Sequence, residues 1–216
     1  MREREIIDNY RDLPYGRYEE IVRLCETPMT DVDRKVAVVA VLTGKTEDEV
    51  LHLPLEQFTR YSGATRFLEK PCPDDLMPAV MKSYPVGRFV LLPVTDIRKI
   101  TTAQYVDFQT FAADKEHRAV EMLSCFMVPR GKEYNEGYDV TEVHAAMRDG
   151  LSVADVLALL AFFFRSWAES IRATLTCSIR TAKTIKDRRT RAEALGMIRG
   201  VMDSWTGGDG SPTSTG

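Results

Sequence analysis

Histidine is scarce, and His52, His117 and His144 never stand in HxH or HxxxH spacing, so only the fold could assemble a metal site from them. Cysteine is sparse too. Cys25, Cys72, Cys125 and Cys177 stand about fifty residues apart with no CxxC pair and read as reduced thiols of a cytosolic protein, since a disulfide framework would be denser and its chain shorter. No glycine-rich phosphate loop follows a predicted strand. Asp31 and Asp33 lack the glycine and closing glutamate of a calcium loop. Charge of one sign is also missing: the net charge is -3 and the pI about 5.7, which argues against a protein whose main task is coating nucleic acid. Long apolar runs are absent. The densest, Val156 to Phe164, lies between Asp155 and Arg165, far short of the roughly 20 residues a bilayer requires. Met1 opens onto REREIIDNYRD, which has no apolar h-region. The expectation is a non-membrane protein of the cytoplasm with no catalytic residue, cofactor or metal. Cys125 with the distant His144 can be written as nucleophile and base, but Cys125 falls in an apolar helical stripe, and a core thiol is the favoured reading.

What is present is helical pattern. From Leu151 to Ile179, apolar residues recur at Val153, Leu157, Leu160, Phe164, Trp167, Ile171, Leu175 and Ile179, a stripe along one α-helix. Ser152 with Asp155 opens it as a capping box, and the rod would be about 43 Å long. Leu159, Phe162 and Phe163 make its first half apolar nearly all round. In the second half Arg165, Glu169, Arg172 and Arg180 leave one side charged.

Shorter helices fill the rest. Arg17 to Glu26 ends at Thr27-Pro28, because proline pushes its predecessor out of the helical region. Thr30 with Asp33 caps Asp31 to Leu42, with the stripe Val32, Val36, Val39 and Ala40, stopped by Gly44. Thr46 with Glu49 caps a short helix ending near Leu53. Pro54 then fits the start of another, striped by Leu55, Phe58, Tyr61 and Leu68. Tyr84 to Val94 (YPVGRFVLLPV) is the one place that reads as strand, and Pro85 and Pro93 make it an edge hairpin at best. Thr101 with Gln104 opens a helix striped by Tyr105, Phe108, Phe111 and Ala112. The next carries Ala119, Met122, Leu123, Phe126 and Met127 up to Pro129. Gly131 to Asp139 is a polar loop, and Val140 to Arg148 a short helix.

The fold class expected is mainly α: a helical bundle organised around a long C-terminal helix, with a small β-hairpin near residues 84–94. Its regions are 1–70, a run of short helices; 71–100, linker and hairpin; 101–206, a helical part with the long helix at 152–180; and 207–216, a tail disordered by composition.

Two stretches are candidate partner surfaces. Phe162, Phe163, Phe164, Trp167 and Ile171 form an apolar girdle whose first reading is core and whose second is a helix-in-groove contact. Arg180, Lys183, Lys186, Arg188, Arg189 and Arg191 form a basic patch able to touch phosphates. It has no interleaved aromatics, so a solvated face or an acidic protein partner is favoured.

The order of LTGKTEDEVLHLPLEQF (Leu42 to Phe58), RFLEKP, ITTAQYVDFQTF, LSCFMVPRGKEYNEGYDVTEV and LSVADVLALLAFFF resembles small tailed-phage proteins of the tail assembly chaperone type, over roughly Arg17 to Ile179. That resemblance implies a non-enzymatic protein of the host cytoplasm. It would bind and solubilise the tape measure protein, with the tail tube protein a further partner and a homo-oligomer allowed. The competing reading is a structural virion component, a head-tail connector or internal protein, with its basic helix facing DNA.

Overall fold

The computed structural model describes residues 6–114, 118–184 and 196–197, without the side chains of residues 171 and 173–183. It is mostly helical, with one small three-stranded antiparallel sheet among the described residues. The chain divides into two compact units, Met1–Phe163 and Phe164–Gly216.

In the first unit, α1 (Tyr15–Glu26), α2 (Asp31–Thr43), α3 (Glu47–Leu51) and α4 (Leu55–Ala64) follow one another with short connections. Local chemistry explains each boundary. Thr27 takes an extended conformation ahead of Pro28 and ends α1. Thr30 Oγ1 accepts from Asp33 N–H at the start of α2, and Gly44, at φ 68°, closes that helix. Thr46 and Glu49 form a complete capping box on α3. Val36, Val39, Ala40, Val50 and Tyr61 are the buried heart of this region, with Ile6, Leu53 and Phe58 packed against it. Two expected stripe members are not in it. Val32 and Leu55 point to solvent, 66% and 79% exposed, because the helices are too short for every stripe position to reach a neighbour.

β1 (Tyr84–Val86) and β2 (Phe89–Pro93) form the expected hairpin, turning on Gly87 at φ 51°. It is not an edge hairpin. β3 (Met127–Pro129) pairs with β2, so the strand order is β1-β2-β3 and β2 is central. Pro93 is tolerated there because it is the strand's last residue, after which Val94 N–H resumes the ladder to Phe126 O. The helix expected to run to Pro129 stops early for the same reason. α6 (Ala119–Ser124) ends, and the chain from Met127 spends its hydrogen bonds on β2.

α5 (Thr102–Ala113) starts at a complete Thr101–Gln104 capping box. Its expected stripe buries only Phe108, and the second buried residue is Gln104, whose Nε2 donates to Cys125 O at 2.6 Å. α7 (Val140–Gly150) leads to α8 (Val153–Thr184), where Ser152 and Asp155 bond reciprocally as a capping box. The N-terminal segment is strapped to this junction: Tyr15 N–H donates to Leu151 O and Val153 N–H to Leu13 O, both at 2.9 Å, with Leu13 fully buried.

Within the first unit, α8 buries Val153, Ala154, Val156, Ala158, Leu159 and Phe163, while Leu157 and Leu160 of the expected stripe are only half-buried. An apolar belt that runs all round a helix gives periodicity nothing to discriminate, and the neighbours chose the face.

Gly150 shows how tightly α7 rides on β1. A Cβ there would lie 3.0 Å from Val86 Cγ1 and 3.3 Å from Val86 Cα, and Val86 is buried. Alanine's gain in helix propensity, about 1 kcal/mol, is smaller than the 1–3 kcal/mol typical of overpacking. Gly150→Ala is therefore expected to destabilise by up to about 2 kcal/mol, read as a lower denaturant midpoint at unchanged slope.

Candidate functional site

The helices of the first unit leave a cleft of about 850 Å³, and α1 supplies most of one wall: Tyr15, Tyr18, Glu19, Val22, Arg23 and Glu26. The other side comes from Arg118 and Glu121 at α6, Arg148 on α7 and Leu157 on α8. Spacing by three and four on α1 puts Tyr15, Tyr18, Glu19, Val22 and Glu26 on one face. Val22 and Leu157 give the cleft apolar ground, and three arginines face three glutamates around it.

Its wall is held by an ion triad. Arg148 Nε donates to Glu19 Oε2 at 2.9 Å and Nη2 to Glu121 Oε1 at 2.5 Å. Glu19 is buried, and Glu121 Oε2 is a buried atom with no hydrogen-bond partner among the described residues. Burial pushes the nearby Tyr15 hydroxyl far above the usual phenol range, and the Glu19 carboxylate adds to that.

Two polar arrangements lie beside the cleft, one around Ser124 and one around Cys125. Ser124 Oγ donates to Glu121 O at 2.7 Å and lies 2.8 Å from His144 Nε2. A hydroxyl has one proton: with it on Glu121 O, His144 Nε2–H donates to Ser124, and in the other tautomer the serine donates to His144. Cys125, read from the sequence as a core thiol, is fully buried, and desolvation pushes its pKa up to about 11. The thiol donates to Glu121 O at 3.4 Å, while Tyr134, 3.6 Å from the sulfur, gives its proton to Asp107 Oδ2 at 2.8 Å. A thiol that stays protonated is a packing group.

His144 has a testable consequence. Burial holds its pKa below the ordinary 6.5; Glu121 works against this and Arg148 with it. The unfolded chain therefore takes up a proton that the folded chain refuses. The contribution of His144 is complete above pH 6.5 and is lost as the pH falls through that value toward the depressed one. A thermal melt of the wild type is expected to lose more Tm between pH 7.5 and 5.5 than His144→Gln, whose amide can still donate to Ser124.

The two predicted partner surfaces are placed unevenly. Phe163 is buried and stacks on Phe126 at 4.8 Å, with Phe162 half-buried edge-on to it at 5.2 Å. Phe163 is therefore core. In the second unit Phe164 is exposed and Trp167 half-buried, while the Ile171 side chain lies outside the description. Arg180 and Lys183 fall on α8 with side chains outside the description, and Lys186, Arg188, Arg189 and Arg191 lie outside the described residues. The cleft was not foreseen. Its polar residues occupy helix faces that read as solvated.

Among the described residues no group of three or more His, Cys, Asp or Glu side chains is placed to hold a metal ion, and no helix is long and apolar enough to cross a membrane. No family model, no curated protein and no solved structure matches this chain.

Proposed function

We propose that this chain is a non-enzymatic binding protein of the tail assembly chaperone type, which keeps a long helical tape measure protein soluble in the host cytoplasm until the tail tube polymerises around it. The observation that carries the reading is that the separate stretches behind the resemblance meet in one joint. Gln104 of the TTAQYVDF stretch bonds Cys125 O of LSCF, and Asp107 of the same stretch receives the proton of Tyr134 from EYNEGYD. Phe108 packs on Phe126 with ring centroids 5.0 Å apart, and Phe126 stacks on Phe163 of LLAFFF. Residues up to sixty positions apart, all within the stretches that carry the resemblance, therefore share one physical task, which is to fix how α5, α6, the loop and α8 pack.

The cleft suits a client helix. Val22 and Leu157 offer apolar contact, Tyr15 and Tyr18 offer flat amphipathic surface, and the balanced charges at its edges can pair with either sign along an amphipathic client. The same reading makes the long C-terminal helix the organising rod of the bundle and gives its phenylalanine-rich stretch a partner to meet. Co-expression with a tailed-phage tape measure protein, which this reading expects to be encoded beside the chain, is the test. The expected result is a soluble co-purifying complex that Val22→Asp with Leu157→Asp weakens. A tape measure protein equally insoluble with and without this chain would overturn the proposal, and so would stoichiometric retention of the chain in finished particles.

A further inference from the structure

The two most exposed leucines of the first unit lie four residues apart, where α3 hands over to α4. Leu51 is 68% exposed and Leu55 79%. They are held out by what lies beneath them. Val50 and Tyr61 are buried, Leu53 and Phe58 pack on the same cluster, and Leu53 N–H to Val50 O and Phe58 N–H to Pro54 O fix the corner's backbone. The inward residues alternate with the outward leucines, so neither leucine can turn in without unseating a core residue.

The surroundings of this apolar corner are acidic. Glu47, Asp48 and Glu56 are all exposed beside it, whereas Glu49 is tied up in the Thr46 capping box. Glu47 and Glu56 have no ion-pair partner among the described residues, and Asp48 pairs only with the exposed His52. Apart from His52, Lys45 is the single basic residue between Gly44 and Glu56. The first unit as a whole carries 27 acidic residues against 20 basic ones. The cleft, by contrast, has balanced signs. A surface that joins bare leucine to unpaired carboxylates selects a partner carrying apolar side chains flanked by positive charge.

We infer that the α3–α4 corner docks a basic amphipathic helix of another protein, one whose apolar residues are bordered by lysine or arginine. This rests on the reading of the chain as a client-holding protein for the occupant's source, and it adds the chemistry of the client segment and the place where it sits.

The test uses the full chain and two labelled peptides, a leucine–lysine amphipathic helix and its leucine–glutamate counterpart, followed by fluorescence anisotropy at low and high salt. The lysine peptide is expected to bind at least about tenfold more tightly than the glutamate peptide, and less tightly at high salt. Leu51→Ser combined with Leu55→Ser should weaken it by about tenfold with an unchanged thermal melt, since both side chains are already in water. Glu47→Gln with Glu56→Gln should flatten the salt dependence. Equal binding of the two peptides overturns the inference. So does undiminished binding by the leucine variant, or loss only in Val22→Asp, which would move the contact to the cleft. A wild-type dimer that the leucine variant splits in sedimentation overturns it as well, because a second copy would then cover the corner. Failure to solubilise the tape measure protein overturns the proposed function and leaves these peptide results standing. An unaltered leucine variant does the opposite.

Discussion

Arg148→Ala is expected to lower stability by about 3–5 kcal/mol, a fall in Tm of roughly 6–20 °C. The size follows from what the guanidinium holds apart. Glu19 is 8% exposed and Glu121 lines the same wall, and each takes a hydrogen bond from Arg148. Removing the cation leaves two desolvated carboxylates, one of which already has an oxygen with no partner among the described residues. Glu19→Gln with Glu121→Gln in the Arg148→Ala background should restore part of the loss. A variant within about 1 kcal/mol of wild type would mean that water already serves both carboxylates, as at an exposed pair.

Phe126→Ala is the second large expectation, also about 3–5 kcal/mol. Phe126 is 2% exposed and its ring touches Phe108 and Phe163, so truncation empties the centre of the joint between α5, α6 and α8. Native-state hydrogen exchange should show the loss first in α5, whose other buried anchor is Gln104 bonded to the adjacent Cys125 carbonyl. Leu55→Ala, equally apolar but exposed, should stay within about 0.5 kcal/mol of wild type. Chemical denaturation of the two variants side by side is the measurement, and a similar loss in both would show that the joint is looser than its ring spacings suggest.

The contrast between these residues explains how much could be read in advance. Capping residues such as Thr46 and Thr101 act within four positions, so their chemistry is written locally and the helix starts were legible. The turn at Gly87 was legible for the same reason. β3 was not: Met127, Val128 and Pro129 fit the end of a helical stripe as well as a strand, and only pairing with β2, some forty residues earlier, decides. The buried face of α8 was ambiguous because leucine and phenylalanine surround it. The cleft's triad was invisible for a different reason. Glu19 and Arg148 are 129 residues apart, and each alone looks like a solvated helix position. The tyrosine loop was read only as polar, yet Tyr134 finds Asp107 across twenty-seven residues and turns the loop into a brace.

The arrangement of prolines in the sheet has one more outcome. Both outer strands contain one, Pro85 in β1 and Pro129 in β3. Arg130 N–H bonds Val90 O, so the alternation of the ladder turns the nitrogen of Pro129 away from β2; the hairpin closing at Val86 and Phe89 does the same for Pro85. Each free border thus lacks a donor where an incoming strand would need it. Copies crowded together during synthesis thus meet borders short of donors, which works against sheet-to-sheet pairing through these strands.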